Sequence, residues 1–124
     1  VLGELAFAKR YDARIDTDTY EKSDGRGDFH MNYDGERCYF DVKTPQKEPY
    51  GLFVKEGCTS ADYYVLGHLS EEARPLKIIF YGMAAREDVL KADLSETPHD
   101  HRNHVVPVEA LDPIPEPEAL KPVG

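Results

Sequence analysis

Hydrophobic and polar positions change period several times along this 124-residue chain. "GELAFAKRYDARI" groups Leu5, Ala6, Phe7 and Ala8 as an apolar portion, with Lys9 and Arg10 towards the end where a helix favours cations, and predicts an opening helix. Residues 16–27, "DTDTYEKSDGRG", are polar and turn-rich and read as a loop. From residue 28 the chain is β-prone on both sides of Asp34-Gly35, which predicts strands near 28–33 and 37–43 joined as a hairpin. Pro45 and Pro49 end the second strand, because neither can join a central ladder.

Residues 52–60 have no clear period. "ADYYVLGHL" (61–69) and "LKIIFYGM" (76–83) read as strands across the polar "SEEARP". "AAREDVLKADL" suits a short helix, and "HVVPVEAL" a last short strand with a helical turn. The Pro-rich "DPIPEPEALKPVG" reads as an extended terminal segment rather than core. The order predicts the α/β class, with a central mixed β-sheet flanked by helices. One domain over residues 1–112 would be followed by a tail over 113–124.

Composition narrows the function only a little. Apolar residues at 40% and charged residues at 31% fit an ordinary folded domain. A net charge of −9 weighs against a nucleic-acid binder held by charge alone. An acid-rich, lysine-poor surface also suits work in high salt, where screening weakens charge effects. No apolar run approaches a membrane span and the first residues lack a signal-peptide layout, so a cytoplasmic protein without a membrane partner is expected. Cys38 and Cys58 are too few for a disulfide scaffold and read as free thiols.

The hairpin carries the candidate chemistry. Side chains alternate along a strand, so Asp41 and Lys43 share a face with Val42 opposite. Asp28 opens the partner strand, and Glu4 on the first helix would complete a set of three carboxylates and one amine. Carboxylates this close repel unless a cation neutralises them, and oxygen ligands suit Mg²⁺ or Mn²⁺. The backbone carbonyl of Val42 would add a ligand. Phosphodiester hydrolysis fits this set: the acids hold metal, and Lys43 orients water or stabilises negative charge.

These residues resemble the PD-(D/E)XK nuclease superfamily, which has the restriction-endonuclease-like fold. The resemblance is carried by Glu4 in "GELAF", Asp28 in "SDGRGDF", and Asp41 with Lys43 in "FDVKT". "ADYYVLGHL", "IIFYGMAAREDVLKA" and "NHVVPVEALDPI" look like the later strands and helix of small archaeal, phage-type or Holliday-junction-resolvase-like members. It implies a Mg²⁺-dependent DNA endonuclease with Glu4, Asp28, Asp41 and Lys43 at one sheet edge, without an organic cofactor. Double-stranded or branched DNA would be the partner, a junction resolvase or structure-selective nuclease the type, and a homodimer a common state. A restriction-type defence enzyme would differ in substrate alone. The alternative is an inactive nuclease-fold module for nucleic-acid binding or assembly. Gly27 stands where the superfamily's name has Pro, a tolerated variation. "QKEPY" formally matches a Gln-x-x-x-Tyr element, but Gln46 follows Lys43 too closely and Pro49 breaks any helix there.

Plainer readings stand beside these. Asp41 and Lys43 could be a solvated cross-strand ion-pair face, and Glu4 a helix-dipole partner. His99, His101 and His104 lack a fourth ligand for zinc and read as a polar loop. His68 reads as a half-buried, satisfied side chain. Lys22, Arg26 and Lys47 flank the site in sequence and are the preferred phosphate contacts. Tyr39, Tyr63, Tyr64 and Tyr81 read as sheet packing rather than base-stacking platforms.

Overall fold

The structure is a computed structural model that describes residues 2–13, 29–45, 49–57, 59–70, 77–96 and 102–123. It opens with helix α1 (Leu2–Tyr11), then strands β1 (Phe29–Tyr33), β2 (Glu36–Lys43), β3 (Gly51–Lys55), β4 (Tyr63–Ser70) and β5 (Lys77–Ala85). Helix α2 (Arg86–Lys91), β6 (Leu94–Glu96), β7 (Arg102–Pro107), a 3₁₀ turn (Val108–Ala110) and β8 (Leu120–Pro122) complete it. The class is α/β, with strand the dominant element among the described residues. No helix among them is long and apolar enough to cross a membrane.

Five strands form a mixed sheet in the order β5-β4-β2-β1-β8. The Asp34-Gly35 turn closes the β1–β2 hairpin with both residues at positive φ, 52° and 80°, as a tight right-twisting hairpin requires. β2 and β4 run parallel, and the other pairs in this sheet are antiparallel. Asp62 locks that parallel register. Its carboxylate accepts from the Tyr39 amide at 2.7 Å, and its own amide donates to the Tyr39 carbonyl at 2.9 Å.

Alternation divides the sheet into two faces. Phe29, Met31, Cys38, Phe40, Val42 and Val65 point to one side, where α1 covers them with Phe7, Ala8 and Tyr11. Phe7 meets the Phe29 ring at 4.6 Å, and Phe40 stacks on Tyr63 at 4.9 Å. On the other side Tyr64, Leu66 and Ala84 pack with Val89 of α2 and with Leu52, Val54 and Val106. Those last three belong to a second, three-stranded antiparallel sheet in the order β3-β7-β6.

Two expectations change here. Helices alone were expected to flank the sheet, but a second sheet shares one face with α2. It recruits β3 from the stretch that had no clear period, because Leu52 and Val54 alternate inward against β7. The Pro-rich tail was expected outside the core. Instead β8 adds to β1 as an edge strand, and Leu120 is fully buried beside Phe7. Pro115 anchors the approach by accepting the Tyr11 hydroxyl at 2.7 Å. Pro122 is tolerated because an edge strand leaves one side of its backbone unladdered.

Candidate functional site

β2 supplies the centre of the site. Its burial alternates from Cys38 to Lys43, so Val42 enters the α1-side core and Asp41 and Lys43 turn to the opposite face. Their partners on parallel β4, Tyr64 and Leu66, lie in the second core, which places the pair beside that core's edge. Lys43 Nζ lies 2.8 Å from Asp41 Oδ2, a charge-assisted contact between side chains 39% and 16% exposed. Asp41 is thus held within a packed surface while the ammonium keeps access to solvent.

Glu4 reaches the same end of β2 from the α1 side. It is half-buried on the helix stripe that carries Phe7, Ala8 and Tyr11, and its Oε2 is shielded from solvent. The preceding residue explains the closeness: a Cβ on Gly3 would collide with Thr44 Oγ1, directly after Lys43. The structure therefore joins Asp41 to Lys43 and sets Glu4 at their strand end, on the other side of the sheet. Among the described residues no three His, Cys, Asp or Glu side chains gather closely enough to share an ion.

Asp28 lies outside the described residues, and so do Lys22, Arg26, Lys47 and Gln46. Phe29, the next residue after Asp28 in sequence, pairs with Phe40, the residue before Asp41. His99, His101 and Cys58 also fall outside. His104 is buried with Nδ1 3.3 Å from the Ala92 carbonyl, a packing role. His68 Nδ1 lies 3.4 Å from the Pro45 carbonyl, where the chain leaves β2. Cys38 is a free, buried thiol, and burial pushes its pKa up, with the Asp62 and Glu36 carboxylates adding to the effect.

The sequence reading missed a cleft of about 450 Å³ that begins at Lys43. Residues 43–45 and 49–51 line it together with Phe53 and with Leu66 of β4. Tyr50 stands in it 73% exposed, with its ring edge-on to Phe53 at 5.2 Å. The one available signal was Tyr50 between Pro49 and Gly51, an aromatic in a punctuated loop directly after the candidate lysine.

No protein-family model, curated protein or solved structure matches this chain, so the chemistry of Asp41, Lys43 and the cleft beside them is what bears on its role.

Proposed function

We propose that this protein is a metal-dependent DNA endonuclease with a restriction-endonuclease-like core. The observation that supports the reading most is the Asp41–Lys43 pair at the C-terminal end of a central strand, where the lysine opens onto a cleft. A purely structural strand pair would gain little stability from that contact. Oxygen donors without sulfur match a hard divalent ion. Among the described residues Asp41 is the carboxylate placed against Lys43. With Asp28 and the Val42 carbonyl it would hold Mg²⁺ or Mn²⁺, which when bound would neutralise phosphate charge and acidify water, while Glu4, across the sheet from Asp41, is left out of that set.

The chain's own groups would do the rest. Lys43 donates its remaining N–H groups towards a non-bridging phosphate oxygen, where negative charge grows as water attacks phosphorus and the P–O bond to the leaving group breaks. Asp41 fixes that ammonium at 2.8 Å, so little reorganisation is needed. Branched or structured DNA is the proposed substrate, as in the junction-resolvase-like members that the motifs resemble.

The test is cleavage of supercoiled, linear and four-way-junction DNA in Mg²⁺ or EDTA across a range of salt, with Asp41→Ala and Lys43→Ala alongside. Cleavage in Mg²⁺ that both substitutions abolish is the expected result. Activity that survives in EDTA or in both variants would sink the mechanism, and a wild type that binds DNA but cuts no substrate would leave the inactive binding module.

A further inference from the structure

The cleft beside Lys43 is more apolar and more aromatic than phosphate chemistry requires. Pro45, Pro49, Phe53 and Leu66 line it, and Lys43 is the charged residue among the described lining. Its volume of about 450 Å³ falls in the range of small-ligand sites, about 300–1,000 Å³. A surface that needed only to meet a phosphate would be basic and open. Among its described lining residues this one pairs a single cation with a pocket suited to a flat, weakly polar ring.

Tyr50 supplies the ring face, and the backbone around it is fixed. The Val108 amide donates to the Tyr50 carbonyl at 3.2 Å. Gly51 presses on β7 so closely that a Cβ there would lie 2.9 Å from the Val106 carbonyl oxygen. Pro49 restricts the chain on the other side, and Phe53 supports the ring edge-on at 84°. An exposed aromatic held this way loses little freedom when a partner stacks on it.

We propose that the cleft takes the base of an unpaired nucleotide, stacked on Tyr50, with the adjoining phosphate at Lys43. This rests on the nuclease reading and names its substrate class: DNA with an unpaired nucleotide at the cut, as in single strands and branch points. Charge complementarity favours this occupant, because a nucleotide carries one anionic group beside one flat aromatic ring, and the described lining of the cleft carries one cation beside apolar walls. A base inside a duplex has both faces covered by its neighbours and cannot enter unless it leaves the stack. With a net charge of −9 the protein repels DNA at long range, so a stacking contact supplies affinity that phosphate attraction does not.

The test uses oligonucleotides carrying 2-aminopurine, either in a single-stranded segment or within a full duplex, titrated with protein in EDTA. Stacking on Tyr50 would quench the unpaired probe with wild type, Asp41→Ala and Tyr50→Phe. Tyr50→Ala and Tyr50→Leu would lose the quench and bind about 5- to 150-fold more weakly, while the duplex probe responds to none of them. Tyr50 is largely exposed, so these substitutions leave the cores intact. Quenching that persists in Tyr50→Ala, or equal quenching of the duplex probe, would overturn the proposal even where cleavage depends on Asp41 and Lys43. Tyr50-dependent quenching without Asp41-dependent cleavage would uphold the stacking site and remove the nuclease reading.

Discussion

Gly3 and Thr44 meet with no room for another carbon between them, which seats the first turn of α1 on the end of β2. The contact ties Glu4 to the strand end that bears Lys43. Gly3→Ala would place its methyl against Thr44 Oγ1 and either push the helix away or turn the threonine. We expect a loss of about 1–3 kcal/mol in chemical denaturation, as for other overpacked sites. Thr44→Ala removes the obstructing oxygen, which is buried and has no hydrogen-bond partner among the described residues, so the double variant should lose less than the sum of the two. Strict additivity would show that α1 is held elsewhere.

Asp41 and Lys43 should separate activity from stability. Their contact is partly solvent-exposed, so Asp41→Asn should change the unfolding free energy by about 1 kcal/mol or less. The same substitution should lower Mg²⁺-dependent cleavage by about 100-fold or more. A stability loss of several kcal/mol with cleavage unchanged would assign the pair a structural role.

The C-terminal segment is a load on the core and not an appendage. Leu120→Ala should cost about 2–5 kcal/mol, because the side chain is fully buried among Phe7, Met31 and their neighbours. Tyr11→Phe, which removes the hydrogen bond to Pro115, should cost about 0.5–1.5 kcal/mol. A chain that keeps its wild-type midpoint after removal of residues 113–124 would contradict both.

Stability should fall in alkali in a defined order. Burial pushes Cys38 up from 9.0, and Tyr11 and Tyr63 up from 10.0, so the unfolded chain releases each proton first. The stabilisation is complete below the unfolded values and is lost as pH rises through the folded ones. Thermal melting should therefore begin to fall near pH 9 and steepen above pH 10. Cys38→Ala should lose the first part of that decline, and a midpoint that rises between pH 9 and 11 would refute the assignment. The native thiol should also resist labelling until the protein unfolds.

Much of the hairpin and the order of the main strands was legible in the sequence, for physical reasons. Asp34-Gly35 permits positive φ twice, and the residues around it alternate, so turn and face follow from local chemistry. That alternation also put Asp41 and Lys43 on one face before any packing was known. β3 was not legible because its five residues have too few positions to establish a period, and its partner β7 lies about fifty residues away. Leu120 was hidden for a related reason: a single apolar residue among prolines carries no periodic signal, and only the far-off Phe7 cluster gives it a place. The cleft was illegible because Lys43 on β2 and Tyr50 just before β3 come to line it through tertiary packing rather than within one element.

The joining of Phe7 and Leu120 in one core has a consequence for synthesis. A chain made from its N-terminus can form the β1–β2 hairpin early, since its turn is local. It cannot close that core until the residues of β8 have emerged, because the last strand must dock on the first hairpin. Until then Phe7, Met31 and the β1 edge would remain open to other chains. Completion of the core is thus timed by the emergence of β8, and a ribosome stalled before residue 120 would hold an unfinished, aggregation-prone sheet.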